Sequence, residues 1–333
     1  MDKLTNKDPI ISVIIPLLNR GPYIGRAIES VLKQTIQNFE IIVVDGGSDD
    51  NGPEIVKKIM DPRIHFLVQS GKGVSNARNE AVYSAKSDFI AFLDADDEWM
   101  PNHLETICRL IKKFPGSGMY STAYKIQHAD GKIKWADYKD IPYSPWEGLL
   151  PNYFKSGALG GDPVWTSVVV IPKKVFHEMG GFPEGYGWGE DVDLFGKIAL
   201  KYPVAFSWEC GAIWHCDASN RINERIMTMD YVDEPFIETA HSALMKGDVS
   251  PEFIEPLNEY IANRKIYLAA RYVRFGSPDV AQAILKQCDT KWHKNEKMKW
   301  LFISKIPYPI YLFLSDIKKR LLRIVEKKQK IAQ

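Results

Sequence analysis

The chain has 333 residues, of which 45% are hydrophobic and 26% are charged, and its formal net charge is +1. This length allows one large domain or a domain with a smaller companion, and the near-zero charge argues against bulk electrostatic capture of nucleic acid. The four cysteines form no CxxC pair and the N-terminus MDKLTNKDP is polar. We therefore expect a cytoplasmic protein without a signal peptide.

Strands alternate with helices over the first 115 residues. The predicted strands are residues 10–16, 39–45, 63–68 and 88–94, and the helices that follow them are residues 23–34, 53–60, 73–85 and 101–114. Such alternation predicts parallel βαβ units with right-handed crossovers. Asp45 and Asp94 end two of these strands, and the ligand crevice of an open parallel sheet lies at the carboxyl ends of its strands. Both aspartates are therefore predicted to face one crevice.

The pattern changes after residue 115. Two polar-apolar stretches flank Asp130-Gly131, which predicts a hairpin. Glycine- and proline-rich loops follow, then a short helix at 192–202 and a strand at 204–216. From about residue 220 the sequence is helical. We predict an α/β domain at residues 1–220 and a C-terminal helical domain at residues 221–333.

The stretch FLDADDEW ends the fourth predicted strand with four carboxylates, those of Asp94, Asp96, Asp97 and Glu98. Carboxylates brought together raise one another's pKa unless a cation compensates them. Mg²⁺ or Mn²⁺ takes one or two protein carboxylates and leaves its other positions to water and substrate phosphates. The alternative is that these acids favour the start of the helix near Pro101 through its dipole, which accounts poorly for Asp94 at the end of the strand.

Further motifs occur in order along the chain. They are Pro16-x-x-Asn19 and Asp45 with Ser48 after the first two strands, the Gly-x-x-x-Ala-Arg-Asn stretch that ends at Asn79, Asp94-x-Asp96, Glu190-Asp191, and His215 in a late strand. Together they resemble the inverting glycosyltransferases of family 2, including bacterial glycan-assembly enzymes. The resemblance covers about residues 9–220 and implies the GT-A fold, a Rossmann-like mixed sheet flanked by helices.

The resemblance implies a set of donor-binding residues for a nucleotide-sugar: Pro16, Asn19, Asp45, Asn76, Arg78, Asp94, Ala95 and Asp96. Within this set, Asp45 and Arg78 would recognise uracil, although the helix alone favours a surface role for Arg78. Asp94 would lie by the ribose and the metal, and Asp96 would be the principal ligand of Mn²⁺ or Mg²⁺. His215 is either a further metal ligand or a buried strand residue.

Asp191 follows a loop of glycines and aromatic residues and opens a helix. A carboxylate there can be the general base that takes the acceptor's proton, an effect of about 10²–10⁴-fold, or simply an acid that favours the helix dipole. The resemblance favours the base. Trp188, Glu190 and Asp162 are predicted to contact the acceptor or the transferred sugar.

The tail from Ile310 combines an apolar stripe, formed by Phe313, Leu314, Ile317, Leu321, Ile324 and Val325, with a run of lysines and arginines between Lys318 and Lys330. An apolar stripe with a basic face suits an anionic membrane surface. The alternative is a helix that packs on the catalytic domain and leaves its lysines in water. A membrane contact would place the protein peripherally on the cytoplasmic face of a membrane.

The motifs together predict a metal-dependent inverting glycosyltransferase that moves a hexosyl or N-acetylhexosaminyl group from a UDP-sugar to an acceptor hydroxyl. The acceptor would be a carbohydrate or a lipid-linked glycan in cell-surface polysaccharide or glycoconjugate assembly. One rival is a sugar nucleotidylyltransferase, for which the loop PLLNRGPYIGR after the first strand is a poor match. The other is a sugar-binding pseudoenzyme, against which Asp94, Asp96 and Asp191 argue.

Overall fold

A computed structural model of the protein describes residues 9–216 and 234–317. Its strands are β1 (Ile11–Leu17), β2 (Phe39–Asp45), β3 (Ile64–Val68), β4 (Phe89–Phe92), β5 (Glu98–Trp99), β6 (Met119–Gln127), β7 (Ile133–Trp135), β8 (Glu147–Leu149), β9 (Val169–Pro172) and β10 (Val204–His215). Its helices are α1 (Gly21–Leu32), α2 (Gly52–Lys58), α3 (Val74–Ser84), α4 (His103–Lys113), α5 (Tyr153–Leu159), α6 (Lys173–Glu178), α7 (Glu190–Lys201), α8 (Pro235–Lys246), α9 (Pro251–Arg274), α10 (Pro278–Lys286) and α11 (Lys294–Ile303). Residues 308–317 are also helical.

The ten strands form one mixed sheet in the order β3-β2-β1-β4-β9-β6-β10-β5, with β7 beside β6 and β8 beside β10. β1 pairs in parallel with both β2 and β4, and β2 pairs in parallel with β3. The carboxyl ends of these four strands therefore share one edge. The predicted mixed α/β sheet is confirmed, and the predicted hairpin is β6 with β7.

The first two strands are buried because their side chains are covered on both faces of the sheet. β2 is buried at every residue, and β1 is buried at all but Pro16. α1 lays Ile24, Ile28 and Val31 on this core. Nearly continuous apolar runs of this kind are typical of parallel strands with helices on both sides, which is why the sequence predicted their bounds closely.

Three strands were not predicted. β9 runs antiparallel between β4 and β6, β8 borders β10, and the two-residue β5 pairs with the end of β10. β9 contains only Val169–Pro172, too short a run to separate from the loops around it by periodicity. Its position matters because it joins the parallel half of the sheet to the β6-β10 half.

The chain divides into two compact units, Met1–Leu257 and Asn258–Gln333. Within the first unit, α8 packs on α7, with Phe236 fully buried against Gly196. Within the second, Glu259 accepts hydrogen bonds from the Thr290 hydroxyl and from two backbone N–H groups. The predicted boundary after residue 220 lies outside the described residues, and the domain assignment stays a prediction.

Candidate active site at the carboxyl ends of the strands

The loops after β1 and β2 are joined by a short hydrogen-bond chain. The Ser48 hydroxyl donates to Asp45 Oδ1 at 2.6 Å and accepts from the Asn19 backbone N–H at 3.0 Å. The Asn19 side chain in turn accepts from the Asp49 N–H at 2.9 Å. Asn19 has a φ of 53°, in the left-handed region that asparagine tolerates better than most residues. These bonds fix the buried Asp45 carboxylate at the mouth of the crevice.

The four carboxylates after β4 have different partners, which explains how the chain tolerates them together. Asp94 accepts from Arg78 at 2.9 Å, and Asp96 lies 3.4 Å from Arg20. The other two carboxylates contact different elements: Asp97 accepts from the Ser167 hydroxyl at 2.8 Å, and Glu98 lies 3.1 Å from His215 Nε2. Asp94 and Asp96 are therefore each held by an arginine at the edge of the crevice.

Arg78 joins the two halves of the crevice. It lies on α3 and is 4% exposed, with one guanidinium nitrogen 2.9 Å from Asp94 and the other 2.8 Å from Glu190. Burial opposes its charge, but Asp94, Glu190 and Asp191 outweigh that effect and raise the pKa of Arg78. It also lies over the ring of Phe182 at 5.0 Å. Arg78 is thus a buried, permanently charged bridge.

The three acids at the start of α7 point to different partners. Glu190 is bound to Arg78, and burial together with nearby Asp191 raises the pKa of Glu190 to about 7. Asp193 is fully buried and accepts from Thr239 at 2.6 Å and from Lys197 at 2.5 Å. Asp191 is partly exposed and accepts from the Thr166 hydroxyl at 3.1 Å. Of the three, only Asp191 combines solvent access with a partner at the crevice.

The turn to α7 depends on glycine. Gly189 has a φ of +75°, and a side chain there would also meet Glu234 Oε1 at 3.1 Å. The left-handed conformation turns the chain from the loop that contains Trp188 into the helix. Trp188 and Asp191 are therefore held on either side of one tight turn.

A short 3-10 turn, Thr166–Val168, reaches both the acidic loop and α7. Thr166 donates to Asp191 at 3.1 Å, and Ser167 accepts from the Asp94 backbone N–H at 3.1 Å while its hydroxyl donates to Asp97 at 2.8 Å. Sequence reasoning missed this turn. The signal was the pair of hydroxyls just before an apolar run, which is too common to single out.

The structure brings the remaining predicted residues near the same edge, with varied roles. Asn76 is hydrogen-bonded to Gln69 at 3.0 Å and to Glu184 at 3.3 Å. Ala95, which lies between Asp94 and Asp96 in the sequence, is buried. Asp162 is partly exposed, and its charge contributes, after burial and together with those of Asp97 and Asp191, to a raised pKa of Tyr124. Asp162 and Asp191 are thus both close enough to Tyr124 to raise its pKa.

The described residues contain no group of three or more His, Cys, Asp and Glu side chains arranged to hold a metal ion. His215 is buried and pairs with Glu98, as expected for the buried strand residue, and its role as a metal ligand stays a prediction. Asp94 and Asp96 nevertheless fit a hard divalent cation. Both are carboxylates at the solvent-accessible edge, with side chains 31% and 14% exposed, and such cations take one or two of these ligands.

A mixed sheet whose parallel strands end in a buried aspartate and an acidic loop is the architecture of GT-A glycosyltransferases, and solved structures share it. Residues 1–349 of TarS from S. aureus, in complex with UDP-GlcNAc, match 87% of this chain and 89% of that one at a TM-score of 0.61 and 17% identity. The mannosyltransferase PcManGT from Pyrobaculum calidifontis, in complex with GDP-Man and Mn²⁺, matches 93% of this chain and 88% of that one at 0.58 and 15%. These likenesses show the fold.

Residues 12–162 match the family model described as glycosyl transferase family 2. An uncharacterized glycosyltransferase of Rickettsia felis is 26% identical over 73% of this chain and 43% of its own length. The Escherichia coli UDP-Glc:alpha-D-GlcNAc-diphosphoundecaprenol beta-1,3-glucosyltransferase WfgD is 42% identical over 44% of this chain and 56% of its own. The chain is therefore similar to glycosyltransferase family 2 over residues 12–162, and it spans about half the length of these two relatives.

The fold in the described parts of the chain includes no helix long and apolar enough to cross a membrane.

Proposed function

We propose that the protein transfers a sugar from a UDP-sugar to an acceptor hydroxyl with inversion at the anomeric carbon. The observation that carries this proposal is the chain of contacts from Asp94 through Arg78 to Glu190, with Asp191 as the next residue. This chain of contacts supports the proposal because it brings the carboxylate proposed to bind the donor close to Asp191, the residue proposed as the base. A base on one side of a donor site is the arrangement that a single displacement requires.

The donor side supplies recognition of the nucleotide. Asp45 is held by Ser48 at the end of β2, and its carboxylate oxygens can accept an N–H from a pyrimidine base. Asn19, Pro16 and Asn76 line the neighbouring strand ends. Arg78 would act here by holding Asp94 in place, because its guanidinium is already committed to two carboxylates.

Asp94 and Asp96 would hold Mn²⁺ or Mg²⁺. A bound divalent ion stabilises the charge that develops on a diphosphate leaving group, an effect worth several kcal/mol. The protein's part is to hold both carboxylates at the edge of the crevice, where Arg78 lies 2.9 Å from Asp94 and Arg20 lies 3.4 Å from Asp96.

Asp191 would act on the acceptor. The acceptor oxygen forms a bond to the anomeric carbon while the bond from that carbon to the diphosphate oxygen breaks, and the bonding electrons leave with the diphosphate. The hydroxyl proton goes to the Asp191 carboxylate. Trp188 and Asp162 would orient the acceptor sugar, since indole rings stack on the apolar faces of sugars.

The acceptor is proposed to be a lipid-linked glycan in bacterial surface-glycan assembly. WfgD, by its name, acts on a diphosphoundecaprenol-linked sugar. In the second unit of this chain, Phe302, Ile310, Phe313 and Leu314 are 49–70% exposed. Exposed apolar side chains beside a basic sequence are typical of a peripheral membrane contact. The basic residues from Lys318 onward lie outside the described residues.

A donor panel tests the proposed function. UDP-glucose, UDP-N-acetylglucosamine, GDP-mannose and dTDP-glucose are each incubated with the protein and Mn²⁺, with thermal stabilisation and nucleotide release as readouts. Stabilisation and slow release of UDP from a UDP-sugar are expected. Preference for a GDP- or dTDP-sugar would contradict the donor class. Release of pyrophosphate from UTP and a sugar 1-phosphate would instead indicate a nucleotidylyltransferase.

A further inference from the structure

The turn before β9 contacts both sides of the reaction through side-chain hydroxyls. Thr166 donates to Asp191 Oδ2 at 3.1 Å, on the acceptor side. The next residue, Ser167, accepts from the backbone N–H of Asp94 at 3.1 Å and donates to Asp97 at 2.8 Å, on the donor side. Two adjacent hydroxyls thus hold groups that are about a hundred residues apart in the sequence.

The sheet explains why this turn reaches both sides. β9 pairs antiparallel with β4, with Ala91 opposite Val170. The residues just before β9 are therefore beside the residues just after β4, where the acidic loop begins. β9 also pairs with β6, with Ser121 opposite Val169. The turn is consequently clamped between two strands of the central sheet.

The turn is anchored by more than its hydroxyls. The Trp99 indole N–H donates to the Ser167 carbonyl at 2.6 Å, and both Thr166 and Ser167 are buried. Trp165, just before the turn, packs on Tyr124 with ring centroids 4.6 Å apart. These contacts attach the turn to the buried core, so the core sets the positions of its hydroxyls.

We propose that Thr166 and Ser167 are positioning residues that set the distance between the base Asp191 and the donor-binding loop of Asp94. This rests on the proposed function, because it assigns to the turn the alignment of the two groups that the displacement brings together. Thr166 holds one carboxylate oxygen of Asp191. The other oxygen accepts from the Val192 N–H at 2.8 Å, at the start of α7. Ser167 fixes the backbone from which the Asp94 side chain projects.

The proposal separates the two hydroxyls by their effects. Loss of the Thr166 hydroxyl frees Asp191 to rotate while the donor loop keeps its partners, so turnover falls and nucleotide binding does not. Loss of the Ser167 hydroxyl leaves Asp191 held but releases the Asp94 backbone, so nucleotide affinity falls. Misplacement of a catalytic group by about 1 Å can reduce a rate by about 10²-fold.

The test uses the full chain with Mn²⁺, with hydrolysis of UDP-glucose and UDP-N-acetylglucosamine for turnover and calorimetric binding of UDP for affinity. Thr166→Val should lower kcat about 10- to 100-fold, with the UDP affinity unchanged within about two-fold, and Thr166→Ser should restore most of the loss. Ser167→Ala should weaken UDP binding instead. Thr122→Val is the matched control, since Thr122 is a fully buried threonine whose hydroxyl lies 3.3 Å from His103.

The outcomes divide cleanly. Unchanged kcat in Thr166→Val, or equal losses in Thr166→Val and Thr122→Val that track their melting temperatures, would overturn the positioning role and leave the proposed function standing. Failure of Thr166→Ser to recover turnover would also overturn it. If the parent protein hydrolyses neither donor and binds no UDP, the proposed function fails first, and the assignment of these hydroxyls falls with it.

Discussion

The proposed donor side and the proposed acceptor side of the crevice are formed by different kinds of structural element. The proposed donor side consists of strand ends and the few residues that follow them. These are Asp45 at the end of β2, Asn19 after β1 and Asp94 after β4, and Ser48 links the first two by hydrogen bonds. The acceptor side is assembled from the turn before β9 and the start of α7, which meet through one hydroxyl. Local order along the chain defines the first, and antiparallel pairing across the sheet defines the second.

This difference has a mechanical consequence. Each donor-side residue is attached to a buried parallel strand, so its position follows from the core. Asp191 lies in the first turn of a helix that follows a loop with four left-handed glycines, Gly180, Gly181, Gly185 and Gly189. Its alignment therefore depends on contacts from outside its own element, of which the Thr166 hydroxyl is one and the Arg78–Glu190 ion pair beside it is another.

The largest effect is expected when one carboxylate of the proposed donor side, that of Asp96, is removed. Asp96→Ala should abolish transfer and Mn²⁺-dependent UDP binding while the protein stays folded, because the variant removes one of the two carboxylates that would hold the metal. Asp88→Ala is the control, since Asp88 is exposed at the opposite end of the same strand. Full activity of Asp96→Ala, or of the parent in excess chelator, would contradict the metal role.

The next effect isolates the acceptor side. Asp191→Asn keeps the shape of the side chain and removes its basicity, so turnover should fall about 10²–10⁴-fold while UDP binding persists. Asp193→Asn is the control, because Asp193 is bound to Thr239 and Lys197 and should affect stability rather than chemistry. An inactive Glu190→Gln beside an active Asp191→Asn would mean that the base is Glu190.

The same contrast explains how much the sequence could predict. β1 and β2 are largely apolar runs, broken only by Ser12 and by Glu40, so their bounds followed from periodicity. The positions of Asp45 and Asp94 followed from the ends of predicted strands, and that of Asn19 followed from the family resemblance. β9 has four residues and acquires its place only by pairing with β4 and β6. No local pattern encodes that pairing, and Thr166 and Ser167 were missed with it.

Arg78 illustrates a feature that could not be predicted from the sequence. Its place in a helical motif was predicted, but its burial was not, because a lone arginine on a short helix is most often solvated. Burial requires two carboxylates from distant segments, Asp94 and Glu190, to converge on it. Such convergence is a property of the folded sheet and has no signature at the position of the arginine.

A smaller effect is expected on the pH dependence of stability, through Glu190, which pairs with Arg78 between the two sides of the crevice. Burial and Asp191 raise the pKa of Glu190 to about 7 from an ordinary 4.5. A raised carboxyl pKa means that the folded protein binds more protons than the unfolded chain between these values, so its stability falls as pH rises from about 4.5 to about 7. Glu190→Gln lacks this titration and should lose less stability over that range, by about 1–3 kcal/mol.

The measurement is denaturant unfolding of the parent and of Glu190→Gln at pH 5 and pH 8. Glutamine keeps an oxygen that can accept from Arg78 but carries no charge at either pH value, so its contact with Arg78 does not change with pH. The pH-dependent difference between the two proteins is therefore the informative quantity. A parent that gains stability relative to the variant at pH 8 would mean that the ion pair with Arg78 outweighs the burial of Glu190.

The smallest expected effect asks whether acceptor capture also involves the second unit. Phe302 and Phe313 are 70% and 65% exposed, so replacing both with serine should leave the fold intact while removing apolar area that a bilayer could cover. Phe302→Ser/Phe313→Ser should reduce co-sedimentation with vesicles containing anionic lipid, and added salt should weaken binding of the parent because it screens the basic tail.

Met60→Ser, at a position 93% exposed in the first unit, is the matched control. Hydrolysis of UDP-sugars should be unchanged in all three proteins, since the residues proposed to bind the nucleotide belong to the first unit. Equal vesicle binding by the parent and the double variant would remove the apolar face from the membrane proposal and leave the basic sequence as its only support. A parent that ignores anionic vesicles at low salt would contradict the membrane contact altogether, and the acceptor would then have to reach the crevice from solution.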